Sequence, residues 1–465
     1  MERIKIDFNK AVGIIKPMNG TNNGPRIPLD PIVGQNTGNM QLYKELEMPF
    51  ARTHDAALSP NYGGEHTVDI RCIFPDFDAD VNDPASYDFE LTDRYVQTIE
   101  LTGTKTFYRL GESIEFRPKK YAINVPKDFK KWAQICEHII RHFNEGWANG
   151  FHYNIEYWEI WNEADGDMAD NGANKRTWGG TPEEFYEMYC VAARHLKDCF
   201  PNLKIGGPAM SNAYACGWKT DFEETSLKWL EGFFEYITTR DYEVPLDFFS
   251  WHCYDCEPEV IGKAAEFVKG YLVKYGYENA ESIMNEWNYV TSFSDEGWIY
   301  SLYTMQNTKG AAYVAAYMTV AQDSPVDILM YYDASPGVTM NGLFRPIDLE
   351  KGRTYYTMQA FRDLRRLGTE VETVSDADEI YTLAAKNDNN DYGIMVTYFT
   401  NNDDAQNKVI ELDMKKVGAK ELDFYLLSEN KDLELVKKEF SSTDNTVLYF
   451  DMEPNSVLLI KSENI

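Results

Sequence analysis

Short apolar runs of strand type alternate with longer amphipathic stretches from about residue 10 to about residue 365. This alternation is typical of parallel strands joined by crossover helices. The predicted strands are Ala11 to Lys16, Pro49 to His54, Thr104 to Leu110, Glu156 to Asn162, Lys204 to Pro208, Leu246 to His252, Ser282 to Asn285 and Val326 to Tyr332. Eight such strands are the number that closes a (β/α)8 barrel.

The stretches between these strands carry helix signals. Apolar positions recur at helical spacing from Phe129 to Trp147, and Thr181-Pro182-Glu183-Glu184 has the pattern of a capping box with proline at the first helical position. Leu364 to Gly368 closes the last predicted helix. The sequence therefore predicts an α/β fold, a TIM barrel over residues 10–365.

The pattern changes after residue 365. Runs with period-two alternation, such as Tyr392 to Phe399, Glu421 to Leu427 and Thr446 to Phe450, are separated by polar turns. The strand Arg3 to Phe8 precedes the barrel and can pair with the same module. We therefore predict a C-terminal β-sandwich over residues 366–465, joined by residues 1–9.

Charge and cysteine usage narrow the partners. Asp and Glu number 75 against 45 Lys and Arg, a formal charge of −30 that disfavours nucleic acid and anionic membranes as partners. No leader-type start or long apolar run is visible, and the seven scattered cysteines favour reduced thiols. We expect a cytoplasmic enzyme without a membrane partner, and the composition leaves a homo-oligomer open.

Two predicted strands end in the same dipeptide, Asn162-Glu163 and Asn285-Glu286. They are the fourth and seventh strands, so barrel closure places both glutamates at the mouth where active sites of this fold lie. Two carboxyl groups roughly 5–5.5 Å apart, one protonated and one ionised, are what a retaining glycosidase requires. Asn162 is placed to hydrogen-bond the sugar hydroxyl beside the anomeric carbon.

Four segments in this order carry a family resemblance: Ile160 to Glu163, Lys204 to Ala209, Ser250 to Tyr254 and Asn285 to Asn288. They resemble glycoside hydrolase family 39, which includes β-xylosidases and α-L-iduronidases, and Ile15 to Pro25 and Arg52 to Asp55 are similar to the same group. The resemblance implies a retaining mechanism in which Glu163 is the acid/base and Glu286 the nucleophile. At Ala164, Cys253 and Trp287 the sequence departs from the usual family pattern, and these departures leave the identity of the substrate open.

Further residues at the strand ends are candidates for sugar binding. His252 and Tyr254 match family residues that contact the nucleophile or the sugar, and the remaining candidates are His54, Glu112, Trp287, Tyr331, Tyr332 and Asp333. One of the two adjacent tyrosines is expected to face the helices, because side chains alternate along a strand.

No metal or cofactor is predicted. Cys253 and Cys256 have no second ligand pair at metal-site spacing, and His138 and His142 lack the glutamate of a zincin helix. No glycine-rich nucleotide loop follows any strand. Cys253 and Cys256 are expected to be two unlinked thiols.

The predicted activity is release of terminal residues from neutral plant-type oligosaccharides, in the manner of a β-xylosidase. The same family resemblance includes arabinose-releasing debranching enzymes, which are the alternative, and the departures above together with the long segment from Asp165 to Gly180 fit such an enzyme. A uronate substrate is disfavoured, because no cluster of Arg or Lys adjoins the predicted strand ends. A non-catalytic sugar-binding barrel is disfavoured because both glutamates are present.

Overall fold

A computed structural model describes residues 2–26, 38–54, 66–166, 175–211, 213, 221–336, 340–375, 377–441 and 444–462. The first strand, β1 (Glu2–Ile14), belongs to a second sheet. The next eight strands form a closed barrel in which every neighbouring pair is parallel: β2 (Gly20–Asn22), β3 (Phe50–Arg52), β4 (Lys105–Leu110), β5 (Tyr157–Ile160), β6 (Lys204–Met210), β7 (Phe248–Asp255), β8 (Glu281–Tyr289) and β9 (Ile328–Tyr331). The predicted barrel is confirmed.

Helices between and after these strands surround the barrel. They are α1 (Met40–Glu45), α2 (Ile70–Ile73), α3 (Glu90–Leu101), α4 (Phe129–Glu145), α5 (Pro182–Cys199), α6 (Asp221–Thr238), α7 (Val260–Lys274), α8 (Asp295–Met305), α9 (Thr308–Gln322) and α10 (Arg353–Leu367). Among the described residues, single 3-10 turns lie at Pro84–Ser86 and Trp147–Asn149. No helix within these described ranges has the length and apolar character needed to cross a membrane.

The local helix signals act as the sequence predicts. The Thr181 hydroxyl accepts the backbone N–H of Glu184, and the Glu184 carboxylate accepts the backbone N–H of Thr181, which is the predicted capping box. Helix α10 ends at Leu367, and Gly368 follows it with a φ of 87°. A residue with a side chain is strained in that conformation, so glycine suits the helix end.

One predicted barrel strand, Ala11 to Lys16, is wrong. Residues 11–14 belong to β1 and pair antiparallel with β10 (Thr369–Ser375) of the second sheet. The first barrel strand is instead β2, whose sequence Gly-Thr-Asn has no large apolar residue and so gives no hydrophobic signal. Gly20 is required there because a Cβ would lie 2.6 Å from the carbonyl oxygen of Leu329 on the neighbouring strand.

The second sheet has nine strands. After β10 they are β11 (Ile380–Lys386), β12 (Tyr392–Tyr398), β13 (Lys408–Lys415), β14 (Lys420–Ser428), β15 (Lys431–Ser441), β16 (Asn445–Met452) and β17 (Ser456–Ser462). Their order is β15-β14-β17-β12-β11-β10-β1-β13-β16. Only the pair β1 and β13 is parallel among the described pairings, and the other pairs are antiparallel.

Alternation along the strands gives this sheet two buried faces. On β12, Ile394 and Val396 point into a core shared with β1, β13 and β17, whereas Met395 points into the core around the barrel. Helices α9 and α10 contact β11 and β12 on the latter face. The second sheet is therefore packed directly against the helical layer of the barrel.

Candidate active site

The carboxyl ends of β3, β5, β7 and β8 bring charged side chains together at the barrel mouth. Glu286 lies on β8, and Glu163 lies in the turn after β5. One oxygen of each carboxylate and a ring nitrogen of His252, on β7, all lie within 4.8 Å of one another. The two glutamates that the sequence singles out therefore face each other across one small space.

Local backbone geometry directs each carboxylate to this point. Trp161 and Glu163 have φ values of 73° and 50°, and the backbone N–H of Glu163 donates to the carbonyl of Ala209 at 2.9 Å, which holds the turn after β5 against β6. On β8 the pairing with β7 shifts by one residue, so that Trp251 pairs with Met284 but His252 pairs with Glu286. This β-bulge lets two consecutive residues, Asn285 and Glu286, both point into the barrel.

Glu286 is surrounded by hydrogen-bond donors. Arg52 Nη1 donates to Oε1 at 2.7 Å, and the Tyr254 hydroxyl donates to Oε2 at 2.8 Å. His54 Nε2 lies 3.3 Å from Oε1. Burial raises the pKa of Glu286 above its ordinary value, whereas Arg52 and the hydrogen bond from Tyr254 lower it. These donors therefore oppose the effect of burial and stabilise the ionised form.

Arg52 is the centre of a buried polar network that sequence reasoning missed. Besides Glu286, it donates to Glu159 Oε2 at 2.7 Å, to Asn22 Oδ1 at 3.1 Å and to Asn162 Oδ1 at 2.7 Å. Burial lowers the pKa of Arg52, but the two carboxylates outweigh this and raise it. The available signal was a charged residue inside each of two apolar strands, β3 and β5, since a buried charge requires a partner.

Asn162 is held with one donor free. Its Oδ1 accepts from Arg52, and its Nδ2 is buried without a hydrogen-bond partner among the described residues. A buried polar group without a partner is costly unless a ligand or water completes it. The placement agrees with the prediction that Asn162 binds a sugar hydroxyl, which remains a prediction.

The Glu163 side chain is more open than that of Glu286. His252 Nδ1 lies 2.7 Å from Glu163 Oε1, and the Glu163 side chain is 16% exposed against 6% for Glu286. Asp165 follows closely and is held by the backbone N–H and hydroxyl of Ser211. Burial and the charge of Glu163 raise the pKa of Asp165 to about 6.

Comparison with known proteins identifies the family. Residues 69–340 match the family described as "Glycosyl hydrolases family 39", a span of more than half of the 465 residues. The chain belongs to glycosyl hydrolase family 39. Both Glu163 and Glu286 lie within the matched span, whereas Arg52 and His54 precede it.

Two curated relatives of this family 39 chain are β-xylosidases. The one from Geobacillus stearothermophilus is 29% identical over 185 residues, and the one from Caldicellulosiruptor saccharolyticus is 26% identical over 202 residues. These alignments cover 36% and 40% of this chain, and 31% and 34% of the relatives. The chain thus aligns with about a third of the length of each curated relative.

Solved structures resemble the family 39 chain over its whole length. A glucosidase from Croceicoccus marinus superposes with a TM-score of 0.77 at 21% identity, covering 100% of this chain and 99% of that one. A monomeric β-xylosidase from Caulobacter crescentus gives 0.68 at 16% identity, with coverage of 100% and 99%. At these identities the likeness establishes the shared fold of a barrel with a second sheet.

Three aromatic side chains among the described residues, Tyr254, Phe293 and Tyr332, line the rim of the family 39 site. Tyr332 lies edge-on to His54, with ring centroids 5.8 Å apart, and 6.5 Å from Tyr254. The exposed Phe293 lies edge-on to Tyr254 at 5.5 Å and stacks on Trp298. These rings lie beside the hydroxyl that contacts Glu286, which is where an apolar face of a sugar can stack.

Two predicted sugar contacts are wrong. Trp287 is fully buried and stacks on Tyr317 of α9, with centroids 4.4 Å apart. Tyr331 is also fully buried and packs edge-on against Trp287. Because alternate residues of β8 and β9 face opposite sides, these rings point to the helices, as expected for one of the two tyrosines. The nearby Trp161 and Trp178 are buried core residues as well.

The remaining predicted contacts have protein partners. Glu112 accepts the backbone N–H of Arg71 at 3.0 Å, and the Arg71 guanidinium lies 3.4 Å from its other oxygen. Asp333 accepts from the Asn23 side chain at 2.9 Å. Asp55 and residues 167–174 of the long segment after Glu163 lie outside the described residues.

Two groups of side chains within the described residues could hold a metal ion: Glu163, His252 and Glu286, and Glu137, His195 and Cys199. In the first group, the Arg52 guanidinium already neutralises Glu286. Cys253 and Cys256 are not joined by a disulfide bond, as expected.

Proposed function

We propose that this family 39 chain is a retaining β-xylosidase-like enzyme that releases terminal residues from neutral plant-type oligosaccharides by double displacement. Glu286 attacks the anomeric carbon, and Glu163 first protonates the leaving oxygen and then activates water. The single observation that carries the proposal is the placement of oxygens from both carboxylates within 4.8 Å at the barrel mouth.

The separation supports retention over inversion. Retaining enzymes hold the two carboxyl groups about 5–5.5 Å apart, so that one of them reaches the anomeric carbon directly. Inverting enzymes hold them about 6.5–9.5 Å apart to admit a water molecule between carboxylate and sugar. One oxygen of Glu163 and one oxygen of Glu286 lie within 4.8 Å of each other, which favours the first arrangement.

The surroundings of the two carboxylates support the assignment of roles. Glu286 accepts hydrogen bonds from Arg52 and Tyr254, and a nucleophile must be ionised when it attacks. Glu163 is the more exposed of the two and can exchange a proton with an aglycone and then with water. The buried Asn162 donor is available for the sugar hydroxyl next to the anomeric carbon, where hydrogen bonds strengthen in the transition state.

The cations at the mouth are paired with protein carboxylates, which supports a neutral substrate. Arg52 and Arg109 lie near strand ends. Both are fully buried, and both are paired with protein carboxylates: Arg52 with Glu159 and Glu286, and Arg109 with Asp69 at 2.9 Å. A uronate would require a cation not already committed to the protein. The β-xylosidase relatives make xylose the first choice of sugar.

The catalytic roles are tested with Glu163→Gln and Glu286→Ala. We expect Glu163→Gln to slow hydrolysis of a poorly activated xyloside by orders of magnitude, with azide restoring turnover of an activated aryl xyloside. Glu286→Ala should be inactive without forming the covalent intermediate. Glu281→Gln is the matched control, because Glu281 is at the opposite end of β8, where it pairs with Lys204.

The covalent intermediate is tested by trapping wild-type enzyme with a 2-fluoro xyloside and mapping the label by mass spectrometry. Labelling of Glu286 is expected, and labelling of another residue contradicts the proposal. Aryl β-xylosides, β-glucosides and arabinosides are compared as substrates. If kcat/KM is higher for the β-glucoside or the arabinoside than for the xyloside, that sugar replaces xylose in the proposal. The roles of the two glutamates do not change.

A further inference from the structure

A cluster of three different donor groups lies on the outer helices, away from the barrel mouth. Glu137 is on α4, and His195 and Cys199 are on α5. His195 Nε2 lies 2.7 Å from Glu137 Oε2 and 3.9 Å from Cys199 Sγ, and the three donor atoms all lie within 4.8 Å of one another. We propose that these three residues form a binding site for a borderline-soft divalent cation, of which Zn²⁺ is the best fit.

The helices explain why the three groups meet. His195 and Cys199 are four residues apart, so they project from the same face of α5. Helix α4 packs beside α5, and Glu137 lies near its middle. Arg141 Nε donates to the other Glu137 oxygen at 2.8 Å, which leaves Oε2 directed towards His195. The carboxylate is therefore held from behind, as metal-ligating carboxylates commonly are.

The donor set determines which cation fits. Imidazole, thiolate and carboxylate are the ligands of zinc sites, whereas Mg²⁺ and Ca²⁺ require oxygen ligands. Zinc–ligand distances of about 2.0–2.3 Å in a tetrahedron place the donor atoms about 3.3–3.7 Å apart. The observed separations differ from these by about 1 Å, which small side-chain rotations can supply. Three protein ligands leave a fourth position for water.

Occupation of the site exchanges a proton for the metal. A cysteine thiol must lose its proton to bind zinc as a thiolate. When Zn²⁺ binds, the Zn–S bond forms, the S–H bond breaks and the proton passes to water. His195 must bind in its neutral form. Affinity is therefore expected to rise with pH.

The position of the cluster predicts its effect. In this fold the helices run antiparallel to the strands, so Cys199 at the end of α5 lies towards the face opposite the mouth. A cation bound there joins α4 to α5 without touching Glu163 or Glu286. We therefore expect it to stabilise the folded chain and to leave glycosidase activity unchanged.

The experiment is a titration of the metal-free enzyme with Co²⁺, followed by competition with Zn²⁺. Cobalt bound to sulfur gives a thiolate charge-transfer absorption, which separates this site from Glu163, His252 and Glu286, because that group has no sulfur. We expect one equivalent of Co²⁺ to give the band and one equivalent of Zn²⁺ to remove it. The melting temperature should rise with Zn²⁺.

Variants assign the ligands. Cys199→Ser should abolish the band, and His195→Gln should weaken binding at least tenfold, while both keep wild-type activity. Cys72→Ser is the matched control, because Cys72 is another half-buried cysteine outside any disulfide bond, and this variant should bind Co²⁺ as wild type does. Absence of the band from wild type, or an unchanged band in Cys199→Ser, overturns the proposal.

Discussion

Replacing Arg52 by methionine is the sharpest test of the active-site network. Methionine is unbranched and uncharged, so it replaces the aliphatic part of the Arg52 side chain while removing all four hydrogen bonds. Glu159 and Glu286 would then remain buried without their cation. The substitution therefore perturbs both the stability of the barrel and the state of the proposed nucleophile.

The structure sets the size of both effects. Removing one partner from a buried ion pair costs about 3–5 kcal/mol, a large share of the roughly 5–15 kcal/mol by which native domains are stable. For catalysis, Arg52 holds Glu286 and Asn162, and a hydrogen bond with a charged partner contributes about 1.5–3 kcal/mol. Loss of both contacts thus costs about 3–6 kcal/mol, or about 10² to 10⁴ in kcat/KM.

The pH profile gives the more specific readout. Arg52 lowers the pKa of Glu286, so its removal raises that pKa. The nucleophile must be ionised, and the acid limb of the kcat/KM profile should therefore move to higher pH in Arg52→Met. Unfolding in denaturant measures the stability, and aryl xyloside hydrolysis between pH 4 and 8 measures the profile.

Arg109→Met is the matched control. Arg109 is equally buried on the next strand, β4, but it pairs with Asp69 and contacts neither Glu163 nor Glu286. It should lose comparable stability without moving the acid limb. Wild-type kcat/KM and an unmoved acid limb in Arg52→Met would refute the role of Arg52 in holding Glu286. An equal shift in both variants would trace the effect to general loosening of the barrel.

Three further predictions follow from single contacts. Tyr254→Phe removes one donor to Glu286, so kcat/KM should fall by about 10- to 100-fold and the acid limb should move to higher pH, as measured with the same aryl xyloside. Phe293→Ala should raise KM for xylo-oligosaccharides by about fivefold through the loss of about 1 kcal/mol of stacking, whereas Tyr303→Ala, an exposed ring on α8, should not. Burial, followed by the charge of Asp323, raises the pKa of Glu370 to about 7. The contribution of the neutral carboxyl group to the free energy of unfolding is therefore fully present below pH 4.5 and is lost as pH rises through 7. Between pH 5 and 8 the free energy of unfolding of Glu370→Gln, measured in urea, should therefore increase by on the order of 1–3 kcal/mol relative to that of wild type. A difference between the two proteins that does not change with pH would contradict this.

The fold was predictable where strands carry a hydrophobic signal. Seven of the eight predicted barrel strands overlap β3 to β9, because those strands are buried on both faces and read as apolar runs. Strand β2 was missed because it consists of only three small or polar residues, which give no hydrophobic signal although they pair with β3 and β9. The strand predicted in its place follows an apolar alternation that serves the second sheet instead.

The reacting pair was predictable, but most of its surroundings were not. Asn-Glu at two strand ends is a local pattern, and chain order alone places both at the mouth. The network of Arg52, Glu159 and Asn22 joins three strands through side chains, and no spacing within the sequence shows which of them meet. The wrong assignment of Trp287 has a related cause, because its direction depends on the bulge at Asn285.

The place of β1 in the second sheet has a consequence for how the chain assembles. Ile4 pairs with Ser375 on one side and with Leu412 on the other. Along the sequence, the whole barrel therefore lies between β1 and the two strands that flank β1 in the sheet. During synthesis β1 must wait for more than 400 residues before both neighbours exist, whereas the barrel can close earlier. Assembly of this sheet is thus coupled to synthesis of β13, and a truncation that removes β1 would leave β10 and β13 as two open edges.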